Sequence, residues 1–176
     1  MPHHNADANA FDKMPSEYKR ALWSWTPSNI FREVNAALIT GAKGGVMASA
    51  EIKAYQQLLN DAIKNAPPIR QYKGLSTRGM FDDPVEAKIF YDRMKLLNKT
   101  DGIYQMEGFG SSTVGDVPAF SGKQLYLHID GKTGVDINSI SQYESENEVL
   151  FGTEQRFRVT KTHEKDGKLH VYLEEI

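Results

Sequence analysis

Apolar residues recur at helical intervals in the first third of the chain. They then give way to short runs typical of strands. Three helices are predicted in the first third. One opens at Pro15 and Ser16, one is capped by Ser28, and one is ended by Pro67 and Pro68. These segments predict a helical layer at the amino-terminal side of the fold.

After the two prolines the pattern is mainly that of strands. The predicted strands, in chain order, are 69–75, 103–106, 108–114, 124–129, 148–151, 157–162 and 169–173. One helix interrupts them, with Asp83 as N-cap, Pro84 in its first turn and an end near Leu97. Asp166 and Gly167 form a hairpin signal between the last two strands. This order predicts an α+β fold: an amino-terminal helical layer followed by two packed, mostly antiparallel β-sheets.

The bulk composition fits one soluble domain. The chain has 176 residues and no cysteine, which excludes disulfides, thiolate metal sites and a cysteine nucleophile. A net charge of −2 gives no broad electrostatic surface for nucleic acid, and no apolar run approaches the roughly twenty residues that span a bilayer. We therefore predict a disordered leader over residues 1–14, a single domain over 15–176 and a cytoplasmic location, without membrane partners.

The most informative polar motif is a group of carboxylates ahead of the strand at 148–151. Glu146 and Glu148 stand at alternate positions, so in an extended chain their side chains leave the backbone on the same side. Two like charges on one face are costly. Such pairs often perform acid/base chemistry or stabilise a developing cation. A solvated acidic loop is the alternative interpretation.

Two further polar motifs lie on earlier predicted strands. Lys73 stands inside a strand beside Gly74, which would let a ligand approach the backbone. Ser111, Ser112 and Thr113 form a hydroxyl cluster on the next. Together with the carboxylates, they indicate a cleft for a ligand that is anionic at one end and gains positive charge at the other during reaction. Taken singly, each motif also fits an ordinary surface strand or turn.

In this order the motifs resemble those of the ADP-ribosyltransferase superfamily, in the Arg-Ser-Glu branch with a Glu-x-Glu motif. The matching segments are 72–75, 108–113 and 146–150, and the resemblance covers nearly the whole chain from about Ser16. It implies an arginine-type mono-ADP-ribosyltransferase of the bacterial toxin, effector or phage host-modifying kind. Such an enzyme uses NAD as co-substrate, releases nicotinamide and transfers ADP-ribose to an arginine of a target protein.

The resemblance also implies roles for individual residues. Glu148 would bond a ribose hydroxyl and stabilise the oxocarbenium-like charge that develops as nicotinamide leaves. Glu146 would hold or help deprotonate the acceptor, and Ser111 would orient Glu148. Glu144 is the runner-up for the role of either glutamate. Phe120 would stack on nicotinamide and Lys123 would contact phosphate. The residues assigned to NAD binding are Lys73, Gly74, Ser111, Ser112, Thr113, Phe120 and Lys123.

Lys73 departs from the family pattern, which has arginine at this position. A guanidinium can grip a pyrophosphate in two places, whereas an ammonium is a point charge, so we expect NAD binding to weaken by about 1–3 kcal/mol. Compensation by Arg70 or Arg78 and a catalytically impaired NAD-binding form stay open as alternatives. So do NAD glycohydrolysis and transfer to nucleic acid.

The implied partners are a target protein and a cognate immunity or antitoxin protein. The chain would act in the cytoplasm or be delivered into the cytoplasm of a target cell. Nucleic acid is not an expected partner, because the net charge is negative. His163 and His170 should face each other across the predicted hairpin, but the sequence places no third ligand beside them. We therefore predict that the protein binds no metal.

Overall fold

The computed structural model describes residues 14–25, 49–67, 70–106, 108–115, 122–137 and 148–176. The chain falls into two compact units. Unit 1 takes its described residues from 1–72, 106–110 and 133–154, and unit 2 takes them from 73–105, 111–132 and 155–176. Residues 1–13 of the predicted leader and the predicted helix that Ser28 caps lie outside the described residues.

Helices come first and strands follow, as the sequence pattern predicts. The helices in the described residues are α1 (Ser16–Trp25), α2 (Ser49–Lys64) and α3 (Pro84–Thr100). The strands are β1 (Gln71–Met80), β2 (Ile103–Gln105), β3 (Gly110–Val114), β4 (Leu125–Asp136), β5 (Glu148–Phe151), β6 (Arg156–Lys165) and β7 (Lys168–Glu175). The pairs β1–β3, β2–β6, β4–β5 and β6–β7 are antiparallel, and β4–β7 is parallel. The predicted α+β class with mostly antiparallel strands is confirmed.

Unit 1 has a core to which both amino-terminal helices contribute. In α2, Leu59, Ala62 and Ile63 recur at helical spacing and are buried together. The Tyr55 hydroxyl of the same helix donates a hydrogen bond to the Ala21 carbonyl of α1 at 3.4 Å. The core comprises Met14, Ala21, Leu22, Leu59, Ala62, Ile63, Ala66, Phe109, Val135, Ile137 and Leu150. Met14, the last residue of the predicted leader, is thus buried in this core.

The carboxyl-terminal end of β4 pairs with β5 inside unit 1. Val135 lies opposite Leu150, and Asp136 lies opposite Val149. A Cβ atom added at Gly134 would lie 2.6 Å from Val149 Cγ1 and 2.8 Å from two ring atoms of Phe151. Because these distances are far below van der Waals contact, only glycine lets the two strands approach this closely.

Unit 2 carries α3 packed on β6. The Asp83 carboxylate accepts a hydrogen bond from the Val85 amide at 2.9 Å, and Pro84 begins the helix, so the predicted N-cap is confirmed. The helix ends at Asp101, which adopts a left-handed conformation with φ of 53°. The buried face of α3 comprises Ala87, Phe90, Tyr91 and Met94.

The four strands β4, β7, β6 and β2 follow one another in hydrogen-bonded order within unit 2. The turn between β6 and β7 has φ of 53° at Asp166 and 76° at Gly167, and Lys165 pairs with Lys168 across it. Positive φ at both central residues suits the right-handed twist of a hairpin. The predicted hairpin is confirmed, and His163 lies opposite His170 as expected.

Candidate functional site

Glu148 opens β5 and belongs to unit 1. It is only 5% exposed, and the three residues that follow it in the strand, all apolar, are fully buried. Its backbone carbonyl accepts a hydrogen bond from the Ile137 amide at 3.1 Å. A carboxylate so withdrawn from water exerts a stronger field on a nearby positive charge than an exposed one does. The local environment therefore suits stabilisation of a developing cation.

The turn after β5 is attached to α2 by buried hydrogen bonds. The Asn60 side-chain amide donates to Thr153 Oγ1 at 2.7 Å, and its oxygen accepts from the Thr153 backbone amide at 3.0 Å. Gln56 Nε2 also donates to Thr153 Oγ1, at 3.3 Å. Sequence reasoning missed this contact, because Asn60 and Thr153 lie 93 residues apart and no local motif links them.

An ion pair reinforces the same turn on the protein surface. Lys64 Nζ lies 2.8 Å from a carboxylate oxygen of Glu154. The hydrogen bond and the negative charge of Glu154 raise the pKa of Lys64 above its usual value. Both side chains are more than half exposed, so we expect the pair to add little stability.

Arg70 and Asp136 form a second polar group in unit 1. Arg70 is buried, and its Nη1 lies 3.7 Å from Asp136 Oδ2. The pKa of the neighbouring Tyr72 is raised above its usual value, mainly by burial and to a smaller extent by the negative charge of Asp136. The buried guanidinium is thus paired with the half-buried Asp136, an arrangement that does not favour Arg70 as the substitute for the family's arginine.

The predicted cation motif lies on β1 in unit 2. Lys73 is exposed, and Gly74 beside it has a φ of 137°, a conformation that side chains rarely adopt. Further along the strand, Arg78 Nη1 donates to the Ser111 carbonyl of β3 at 3.3 Å. Arg78 therefore supports β3, whereas the Lys73 ammonium is presented to solvent.

The three predicted hydroxyl residues divide between the two faces of β3. Ser112 is buried and donates from its Oγ to Ser76 Oγ of β1 at 2.8 Å. Ser111 and Thr113 are half-buried and, by the alternation of a strand, point to the opposite face. Because β1 and β3 are paired, these hydroxyls lie on the strand adjacent to that of Lys73. Ser112 thus links strands, and the other two are candidates for ligand contact.

Lys123 precedes β4 in unit 2 and is already paired. Its Nζ lies 2.9 Å from Asp82 Oδ1, in the segment between β1 and α3. The adjacent Gln124 amide donates to the Phe81 carbonyl at 2.9 Å. Lys123 must therefore exchange Asp82 for phosphate if it is to contact NAD. Three predicted site residues lie outside the described residues: Phe120, Glu144 and Glu146.

A histidine cluster in unit 2 extends beyond the pair that the sequence predicts. His128 Nε2 and His170 Nδ1 are 2.8 Å apart, and Tyr172 stacks on His128 with ring centroids 4.4 Å apart. Sequence reasoning missed His128, because it comes from β4, far from the hairpin. Among the described residues, no three His, Asp or Glu side chains are arranged to hold a metal ion. None of the described helices is both long and apolar enough to cross a bilayer.

Comparisons with known proteins point to one family. The family model for NAD:arginine ADP-ribosyltransferases matches residues 12–176. The NAD(+)–protein-arginine ADP-ribosyltransferase Tre1 of Serratia proteamaculans (strain 568) is 27% identical over 156 residues. That match covers 89% of this chain but only 31% of Tre1.

Solved structures of low identity share the fold. The type III effector XopAI of Xanthomonas axonopodis pv. citri superposes with a TM-score of 0.76 at 22% identity, covering 96% of this chain and 70% of that one. The ADP-ribosyltransferase HopU1 of Pseudomonas syringae pv. Tomato DC3000 gives 0.73 at 20% identity, with 99% and 82% covered. At these identities the likeness shows a common architecture.

Proposed function

The chain belongs to the NAD:arginine ADP-ribosyltransferase family, and from this premise we propose that it transfers ADP-ribose from NAD to an arginine side chain of a target protein. The family resemblance that the sequence motifs indicate is confirmed. NAD is the co-substrate of the family. The observation that carries the proposal for this chain is the buried position of Glu148 at the head of β5.

Glu148 is the proposed catalytic carboxylate. The reaction breaks the bond between ribose C1′ and the nicotinamide nitrogen, and the bonding electron pair leaves with nicotinamide. Positive charge then develops on the ribose, as in glycoside cleavage. A carboxylate held in a buried strand needs little reorganisation to stabilise that charge. The burial of Glu148 at the head of an apolar, buried strand supports this role.

Glu146 is proposed to act on the acceptor. A guanidinium has a pKa above about 12 and must lose a proton as its nitrogen attacks ribose C1′. A carboxylate two residues before Glu148 would leave an extended backbone on the same side and could hold the guanidinium and accept that proton. Glu144 is the alternative for this task.

NAD binding is proposed to rest on residues of β1, β3 and the start of β4. Lys73, as an exposed cation, suits the pyrophosphate, and Gly74, which has no side chain, suits close approach of a ligand to the backbone. Ser111 and Thr113 are half-buried hydroxyls, of which Ser111 is proposed to orient Glu148. The remaining assignments are Ser112 as support for β3, Lys123 for a phosphate and Phe120 for nicotinamide stacking.

The proposed setting is the cytoplasm of a target cell. The related fold of a type III effector supports delivery as a toxin or effector domain. The proposed partners are a target protein that supplies the arginine and a cognate immunity protein that protects the producing cell.

The proposal is tested by incubating the purified chain with NAD labelled in the adenylate and with a cell lysate. We expect nicotinamide release and labelled protein. Glu148→Gln should lower both by about 10²- to 10³-fold, since the amide keeps the shape but loses the charge. Glu154→Gln, a matched change at an exposed site of the same unit, should keep both. Label that persists in the Glu148 variant would contradict the assigned role.

The same assay separates the alternative acceptors. Glu146→Gln should release nicotinamide while labelling little protein, because water replaces arginine as acceptor. If the wild type releases nicotinamide and labels nothing, the chain is an NAD glycohydrolase. If the label is removed by nuclease and resists protease, the acceptor is nucleic acid.

A further inference from the structure

We propose that Asn60 is a positioning residue for Glu148, acting through Thr153 to fix the register of β5. This inference rests on the proposed function of Glu148. It concerns three parts of unit 1 only: α2, β5 and the turn after β5. No motif around Asn60 in the sequence indicates such a role.

The apolar pattern of β5 does not define its own register. All four residues of the strand are buried, and Val149, Leu150 and Phe151 are all apolar. In a half-buried strand, a one-residue slip is prevented because it exposes the apolar face. Here Val149 and Phe151 on one face and Leu150 on the other are all apolar and buried, so the apolar pattern penalises such a slip less. The slip would nevertheless turn Glu148 to the opposite side of the strand.

Among the described residues, the Asn60 side chain hydrogen-bonds to Thr153 at both its backbone and its side chain. It accepts from the backbone amide of Thr153 at 3.0 Å and donates to the hydroxyl of the same residue at 2.7 Å. Gly152 and Glu154, which a slip would bring to this place, lack a hydroxyl. Both Asn60 and Thr153 are 7% exposed, so water could not readily replace the lost hydrogen bonds.

Asn60 is itself held on a fixed support. Its helical neighbours Leu59, Ala62 and Ile63 are buried in the core of unit 1. The segment from Thr153 back to Glu148 is an extended strand with a short turn, and an extended chain cannot lengthen. Anchoring Thr153 therefore sets the position of Glu148 along the strand. Gly134 permits the close approach of β4 and β5 beside Val149 and Phe151.

The test compares Asn60→Leu with Ile63→Ala in the full chain. Leucine removes both hydrogen bonds at similar volume, and Ile63→Ala destabilises the same helix without touching Thr153. We expect Asn60→Leu to lower kcat for nicotinamide release by about tenfold or more with KM for NAD nearly unchanged. Ile63→Ala, at a matched loss of Tm, should retain kcat. Thr153→Ser keeps both hydrogen-bonding groups and should also retain it. Equal kcat in the Asn60 and Ile63 variants would overturn the proposal.

A second measurement does not depend on activity. The Ile137 amide donates to the Glu148 carbonyl, so its hydrogen exchange reports the position of β5. Because Ile63 and Ile137 share one core, exchange at Ile137 should accelerate in both variants at the matched loss of Tm, but clearly more in Asn60→Leu than in Ile63→Ala. If the wild type releases no nicotinamide, the proposed function fails, while unchanged exchange in Asn60→Leu would separately overturn the role of Asn60.

Discussion

The carboxylate strand of unit 1 and the cation strand of unit 2 are built in opposite ways. Glu148 is buried, in a strand that is buried throughout and attached at its far end through Thr153. Lys73 is exposed and lies beside a glycine. A group that stabilises a transient charge must be in place before the charge forms, whereas a group that grips a flexible anionic ligand can adjust to it.

The contrast also explains where the chain can depart from its family. Lysine in place of arginine at position 73 keeps a positive charge at an exposed position, where the surroundings can accommodate another side chain. A comparable change at Glu148 would leave a buried position without its charge. We therefore expect changes in the unit 1 strand to affect turnover or folding and changes in the unit 2 strand to affect NAD affinity.

The largest effect should come from Gly134→Val, which breaks the close approach of β4 and β5. Its Cβ alone would lie 2.6 Å from Val149 Cγ1 and 2.8 Å from the Phe151 ring. The buried Val149 and Phe151 side chains must move or the two strands must separate, so we expect a loss of about 3 kcal/mol in the free energy of unfolding. Urea denaturation followed by circular dichroism measures it.

Lys132→Gln is the control for this substitution. It changes an exposed residue two positions earlier in the same strand, and it should alter stability by less than about 0.5 kcal/mol. Equal stability of the Gly134 and Lys132 variants would show that β4 and β5 have room to separate.

The fold was predictable where a few neighbouring residues decide the structure. The Asp83 cap and the Asp166–Gly167 turn are confirmed, because each depends on local hydrogen bonds or local φ angles. Strand lengths were less predictable. β4 was expected to end at residue 129 but continues to Asp136, through two glycines that resemble a turn in sequence. Gly134 is instead required by Val149 and Phe151, which lie distant in sequence.

The family that the motifs indicate is confirmed. The motifs also predict Lys73, Ser111 and Glu148 as site residues, and these assignments stay predictions. Their surroundings were not predictable. The partner of Thr153 lies 93 residues earlier, and the burial of Ser112 against Ser76 depends on the pairing of β1 with β3. Such contacts are set by tertiary packing, which leaves no periodic signal in either segment.

A change at Lys73 should have an intermediate effect and should sharpen the contrast. In its proposed role Lys73 makes one charge-assisted contact to NAD, worth about 1–2 kcal/mol, which Lys73→Ala would remove. We therefore expect KM for NAD to rise by about 5- to 30-fold with kcat nearly unchanged. Lys73→Arg should lower KM, because the planar guanidinium can bond two phosphate oxygens at once. Steady-state nicotinamide release measures both.

Lys99→Ala, a matched loss of an exposed lysine in unit 2, is the control and should leave both constants unchanged. A fall in kcat with unchanged KM in Lys73→Ala would place Lys73 in the chemical step. The distinction between Glu148, expected to act on turnover, and Lys73, expected to act on NAD affinity, would then be wrong. Activity that appears only in Lys73→Arg would identify the present sequence as an impaired form.

The smallest effect should come from Tyr72→Phe, which tests whether the residue before Lys73 belongs to the buried region of unit 1. Burial and then the charge of Asp136 raise the pKa of Tyr72, so both favour the neutral phenol. An unfolded tyrosine titrates near pH 10. The native state therefore keeps this proton at a pH where the unfolded state has lost it. The contribution of the Tyr72 proton to the free energy of unfolding is complete below about pH 10 and declines as pH rises through the raised native pKa.

Tyr72→Phe lacks this titration, so the free energy of unfolding of the variant should fall less between about pH 9 and 11 than that of the wild type. Urea denaturation at each pH measures the difference. If the stability of wild type and variant changes with pH in parallel, Tyr72 is solvated like Lys73 beside it. The boundary between the buried residues of unit 1 and the exposed strand of unit 2 would then lie before residue 72.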